Sequence, residues 1–202
     1  MISLIKKILL LGFVVSSLFA QVGDGSQLLK ELQDKYKSIN DFTSTFRQVT
    51  QNGHVAAGKF YYKTKDKFRI ELNSRIILGD GESVWNYSPK NHKVIITSAD
   101  DEANSFSIED YVFNYPKLCK VGAIQKEGEK KILLLIPASN ELDFKEIKLV
   151  VNDNLLIDQI SLTDLMDNTY KADLLDTMVN QNLSNDLFIF EIPQGTQIID
   201  LR

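Results

Sequence analysis

Only one of the 202 residues is cysteine, Cys119, which excludes an internal disulfide framework and any multi-cysteine zinc site. Two histidines are too few for a His-rich metal centre. Four prolines and ten glycines exclude collagen-like and low-complexity architectures. Basic side chains number 23 against 27 acidic ones, a net charge of −4, so the chain lacks the basic face that phosphate backbones require, and nucleic acid is not an expected partner. Phosphate-cradling and nucleophile-elbow patterns (GxxxxGK[ST], GxGxxG, GxSxG) are absent. What is abundant is apolar: 44% of the residues are hydrophobic, enough for a sizeable core in one domain.

The first twenty residues read as a secretory signal peptide. Lys6 and Lys7 stand before an apolar run that starts at Ile8, and the small residues Ser16, Ser17 and Ala20 precede Gln21. At about a dozen residues the run is short for a bilayer span. Cleavage after Ala20 is expected, leaving 21–202 as a single exported, soluble domain. With Lys6 and Lys7 gone, that domain keeps 21 basic and 27 acidic side chains, a net charge of −6. Because no cysteine follows the cut, the product is expected to carry no lipid anchor. Cys119, flanked by Leu118 and Val121, is expected to be a buried, inert thiol.

After the leader comes one amphipathic helix. Over Gln27–Ile39, Leu28, Leu29, Leu32, Tyr36 and Ile39 recur at helical spacing, with Ser26 as the expected N-cap. From Phe42 the period changes to two. Strands are expected over Phe42–Val49 and around Phe60–Tyr62, Phe68–Leu72, Ile76–Leu78, Val84–Tyr87 and Val94–Thr97. Later strands are expected over Ile132–Ile136, Glu146–Val151, Leu156–Thr163, Tyr170–Leu174 and Leu187–Ile192. Turns fall at Gln51–His54, Gly79–Gly81, Ser88–Asn91 and Asn152–Asn154. Between the two strand groups, Ser107 is placed to cap a short helix over Ile108–Phe113 that Pro116 ends. Some ten strands with short turns predict a mainly β fold, an antiparallel sheet that is curled or closed.

The chemistry is sparse. His54 and His92 lie in turns, and the acidic run Asp100, Asp101 and Glu102 lacks the ligand spacing of a calcium loop. No nucleophile–base pair presents itself, so neither catalytic nor metal-binding residues are assigned, and no cofactor is expected. Lys63, Lys65, Lys67 and Arg69 form a basic stretch, a solvated strand end or a docking patch. The large apolar side chains of the strands either fill a barrel or line a cavity for an apolar ligand, and periodicity does not choose. The cavity candidates are Phe46, Phe60, Tyr62, Phe68, Ile70 and Leu72. Further along come Ile76, Leu78, Trp85 and Tyr87, with Phe106 and Phe113 from the middle segment.

Four segments then carry a resemblance. Phe42-Thr43-Ser44-Thr45-Phe46-Arg47-Gln48 follows the helix, and Gly58-Lys59-Phe60-Tyr61-Tyr62-Lys63 runs on to Lys67-Phe68-Arg69-Ile70. Next stands Asp80-Gly81-Glu82-Ser83-Val84-Trp85-Asn86-Tyr87-Ser88-Pro89, and Phe190-Glu191-Ile192-Pro193-Gln194-Gly195-Thr196 precedes Ile199-Asp200-Leu201-Arg202. In this order they resemble the periplasmic outer-membrane lipoprotein carrier family, LolA. The resemblance implies an incompletely closed antiparallel β-barrel whose hydrophobic cavity is covered by helices. It implies a monomeric periplasmic chaperone, not an enzyme. Such a carrier takes acylated lipoproteins from an inner-membrane ABC transporter and hands them to an outer-membrane receptor. A lipid-binding or lipoprotein-sensing module of the same fold is the alternative. In the family an Arg-Pro pair follows the strand matching Tyr61-Tyr62-Lys63, and its Arg touches the helical lid. Here Thr64 and Lys65 stand there, so Lys63, Thr64, Lys65 and Arg69 are the lid or docking candidates, and lid closure is expected to differ. Phe68 matches an aromatic position near the family's cavity mouth.

Overall fold

A computed structural model describes residues 25–49, 53, 55–64, 67–99, 107–122, 125–127 and 130–202. The expected leader, His54, Lys65, the acidic run and Phe106 lie outside the described residues.

Helix α1, Gly25–Lys37, has Leu28, Leu32 and Tyr36 on its buried face. Three such side chains removed from water contribute about 1.5–3 kcal/mol each, which is what holds a thirteen-residue helix that propensity alone would leave marginal. The helix starts earlier than the pattern implies, so Ser26 sits inside its first turn. Gly25 lies against the carbonyl of Gly122, where a Cβ would come within 2.1 Å of the oxygen, so this approach requires glycine. At the other end Ile39, turned by the bond from its N–H to the Tyr36 carbonyl, is buried as the chain enters the sheet.

A meander follows: β1 (Asp41–Val49), β2 (Val55–Lys63), β3 (Lys67–Leu72), β4 (Arg75–Asp80), β5 (Ser83–Ser88) and β6 (Lys93–Ser98). After the helical middle come β7 (Cys119–Val121), β8 (Gln125–Glu127), β9 (Lys130–Pro137), β10 (Phe144–Val151), β11 (Ile157–Asp164) and β12 (Thr169–Val179). The chain ends with β13 (Gln197–Asp200). The strand order is β13-β6-β5-β4-β3-β2-β1-β12-β11-β10-β9-β7, with β8 also on β9. Its two ends do not pair with one another, so the sheet is open. Neighbours are antiparallel except β13, which runs parallel to β6.

Register sorts the side chains. Directly paired residues share a face. Phe42 pairs with Tyr62, Tyr62 with Phe68, Phe60 with Ile70, Ile70 with Ile77, and Gly79 with Val84. That inner face packs against Leu28, Leu32 and Tyr36 of α1 in one continuous core, joined by Leu133, Leu135, Ile147, Leu149 and Ile160 from the other half of the sheet. The outer face is covered only locally, by the chain after β12.

Three expectations are corrected here. Leu187–Ile192 is not a strand: Ser184 accepts a bond from the Asp186 N–H and opens a 3-10 turn, Asn185–Phe188. An apolar alternation this short fits either form, and burying Phe188 decides it. Pro116 does not end the middle helix, which runs from 108 to 118. Ser107 does accept from the Asp110 N–H, at 3.4 Å. The segment then widens into a π-turn, Asp110–Asn114, and continues as α2, Tyr115–Leu118. Proline lacks the N–H that would bond four residues back and its ring crowds that carbonyl, so the turn opens by one residue and Tyr115 bonds instead to Asp110. Cys119 is half-buried, and burial raises its thiol pKa, which keeps it an unreactive thiol at neutral pH.

Candidate functional site: the inner face and its helical stopper

Phe60 is fully buried, with Phe42 edge-on at 5.3 Å and Phe46 at 6.4 Å. Phe42 stacks on Tyr62 at 5.0 Å. Phe68 and Ile70 continue this aromatic floor, and Leu72 and Phe113 pack at its margin. A Cβ at Gly79 would meet the Phe68 ring at 2.3 Å, so glycine opposite the ring is what lets it lie flat in the sheet. Phe68 lies on this floor and is 6% exposed with the helices in place.

Four cavity candidates lie elsewhere. Leu78 pairs with Trp85 and Ile76 with Tyr87, which puts all four on the outer face. Ile76, Trp85 and Tyr87 pack there with Val94, Ile96 and Phe190 in a separate cluster. The Phe190 ring stands 6.2 Å from Trp85 and 5.7 Å from Tyr87. One residue earlier, Val84 is the side chain that faces inward. Choosing the aromatics over the valine inverts the face, because side chains alternate with period two.

The basic candidates also turn outward. Lys63 Nζ donates to the Leu183 carbonyl at 2.6 Å. The Arg69 guanidinium donates to the Leu187 carbonyl at 3.3 Å and to Glu71 at 2.6 Å. Buried Asp41 accepts the Gln181 and Leu183 N–H groups at 2.6 and 3.2 Å. These side chains strap the chain after β12 across the outer face. Thr64 is exposed in the β2–β3 connection, its N–H on the Asn40 carbonyl.

Two polar contacts, neither visible in the sequence pattern, fasten the stopper, one to the floor and one between its two helices. The Tyr62 hydroxyl donates to a Glu109 carboxylate oxygen. Gln33 of α1 donates from Nε2 to the Val112 carbonyl at 3.0 Å. That carbonyl stands four residues before Pro116, so proline leaves it unclaimed and Gln33 supplies the missing donor. Around these contacts Ile108 and Val112 are buried, and Tyr115 meets Tyr111 at 5.5 Å and Phe144 at 5.2 Å. Tyr36 accepts the Ile157 N–H at 3.1 Å, which ties α1 to β11. Burial lifts the pKa of both Tyr36 and Tyr111 above the ordinary tyrosine value, so both stay neutral across the biological pH range.

A pocket of about 190 Å³, lined by Gln48, Tyr111, Ile160, Leu162, Tyr170, Lys171 and Ala172, opens beside the π-turn. Ligand pockets commonly enclose roughly 300–1,000 Å³. In this conformation the helices occupy the inner face as a stopper. Among the described residues no group of His, Cys, Asp and Glu could hold a metal ion, and no helix is long and apolar enough to cross a membrane.

An open, strongly curled antiparallel sheet with an apolar inner face plugged by helices is the class of protein that this geometry defines. The sequence profile of the outer membrane lipoprotein carrier protein LolA matches residues 37–191, and the chain belongs to that family. It is 22% identical over 215 residues to an outer-membrane lipoprotein carrier protein of Actinobacillus pleuropneumoniae serotype 7, covering 98% of this chain and 96% of the relative. Identity to the outer-membrane lipoprotein carrier protein of Francisella philomiragia is 27% over 209 residues, with coverage of 96% and 98%. The crystal structure of an uncharacterized conserved protein from Thermus thermophilus shares the fold, with a TM-score of 0.59 at 12% identity over 88% of this chain and 99% of that one.

Proposed function

We propose that the protein is a periplasmic carrier that takes the acyl chains of lipoproteins onto its inner face and releases them at the outer membrane. Residues 1–20 are removed on export, and 21–202 work as a single monomeric domain that turns nothing over. One observation carries this reading: the apolar floor is closed by helices that are fastened through polar contacts, Tyr62 to Glu109, Gln33 to Val112 and Tyr36 to Ile157.

The energetics explain the stopper. Burying a sixteen-carbon chain is worth on the order of 12 kcal/mol at about 0.8 kcal/mol per methylene. A carrier that collected all of this could not let go. Here cargo must first displace Ile108, Val112 and the apolar face of α1 from the floor, and that cost offsets the gain. Binding and release then lie close in free energy. With no nucleotide-binding motif in the chain, loading is driven by an inner-membrane ABC transporter, and an outer-membrane receptor collects the cargo. The family membership and the near-complete coverage of carrier relatives support this assignment.

The test is release. Spheroplasts that synthesise a radiolabelled outer-membrane lipoprotein retain it without a carrier. Adding the mature protein is expected to bring the lipoprotein into the supernatant in an equimolar complex. If the lipoprotein stays on the membrane while the protein still binds acylated peptide, a lipid-sensing module of the same fold replaces the carrier.

A further inference from the structure

The pocket beside Tyr111 is too small to be the site, but its position says how the site is reached. Its apolar wall is Ile160, Leu162 and Ala172 on the inner face of β11 and β12, with Gln48 paired to Ala172 on that same face. Tyr111 closes it from the π-turn, the irregular stretch of the stopper where the helix departs from i→i−4 bonding and where hinges are common. Tyr170 belongs both to the pocket and to the surface, at 43% exposure, and leads to the β11–β12 hairpin.

That hairpin is built to hold apolar side chains in water. Asp164 Oδ1 accepts the Met166 and Asn168 N–H groups, both at 2.8 Å, while Oδ2 accepts Asn168 Nδ2 at 2.8 Å. The backbone closes the loop through the Asp164 N–H on the Asn168 carbonyl, with Asp167 in the left-handed region at φ 66°. These bonds keep the Asp164 carboxyl below the usual carboxylate range, so the turn stays anchored at neutral pH. Leu165 and Met166, on this fixed turn, are 57% and 79% exposed. Isolated exposed apolar side chains are ordinary, but Leu165 and Met166 are consecutive and stand on the turn that joins the two strands lining the pocket.

We propose that this rim is the portal for the acyl chain: Leu165 and Met166 meet the chain first, and Tyr170 and Tyr111 pass it under the π-turn onto the floor. The inference rests on the carrier reading. An acyl chain is the occupant because Leu162 and Ile160 carry apolar surface from the hairpin strand onto the inner-face core. Gln48 supplies a polar group beside the opening for the ester and peptide groups of an acylated cysteine.

The test is the association rate of the mature protein with a triacylated peptide carrying a dansyl group, followed by stopped-flow fluorescence. The Leu165→Asp/Met166→Asp variant is expected to load about tenfold more slowly with an unchanged melting temperature. Ile198→Asp/Leu201→Asp, equally exposed on the C-terminal strand side, is expected to load at the wild-type rate. Equal rates for wild type and the hairpin variant would overturn the portal and leave the carrier reading intact. A wild-type protein that takes up no peptide would overturn both. Should the charged pair fail to fold, Met166→Ser carries the same test, with slower loading expected and an unchanged rate overturning the portal.

Discussion

Tyr62→Phe is expected to tighten acyl-chain binding about ten- to a hundred-fold while lowering the melting temperature of the empty protein. The hydroxyl lost is the one that donates to Glu109 on the stopper. A hydrogen bond to a charged group is worth roughly 1.5–3 kcal/mol, and this one exists only while the stopper is seated. Phe keeps the ring that stacks on Phe42, so the floor itself is preserved. Glu109 is only half-buried, so the carboxylate left behind rehydrates instead of remaining trapped. The loss therefore falls on the closed state, and the competent fraction rises by the same factor as the apparent affinity. Titration with a dansylated triacylated peptide reads it directly. An unchanged affinity would mean that this contact does not hold the lid.

Phe68→Glu is expected to leave little folded protein. From the sequence, a place near a cavity mouth suggests that a carboxylate at 68 could reach water and spare the fold. With the stopper seated, however, the ring is 6% exposed, lies over Gly79 and adjoins Tyr62. A charge there costs several kcal/mol, against a total stability of about 5–15 kcal/mol. Phe68→Leu keeps the position apolar and is expected to cost about 1–2 kcal/mol and to fold. Circular dichroism melts of the two variants settle the matter. A Phe68→Glu protein that melts like wild type would put residue 68 at a solvated edge.

Much of this fold was legible because period and turn chemistry agreed along the chain. Leu28, Leu32 and Tyr36 announced a helix, and Phe42, Phe46, Phe60, Tyr62, Phe68 and Ile70 fell on one face in register. Gly81 takes the positive φ that its turn demands. What failed did so for local reasons. From β4 onward both faces carry apolar residues, since the segment around Phe188 and Phe190 covers the outside. Alternation alone could not say that Val84, not Trp85, points inward. Lys63 and Arg69 read as lid contacts from their place in the chain, yet each finds its carbonyl on the outer strap, more than a hundred residues away. The fastenings of the stopper were invisible for the same reason. Nothing local to Gln33 reveals the Val112 carbonyl, although Pro116 marks a carbonyl in need of a donor. Two residues before Thr64, the Tyr62 hydroxyl reaches the middle helix, a contact that spacing along the chain does not reveal.

The central claim is that the inner face accepts acyl chains once the helices yield, and that no chemistry follows. Native mass spectrometry of the mature protein mixed with a triacylated peptide tests it most directly. The account predicts one complex whose mass equals protein plus one intact peptide, and no complex with the same peptide stripped of its acyl chains. Equal binding of the stripped peptide, or the appearance of freed fatty acid, would contradict it.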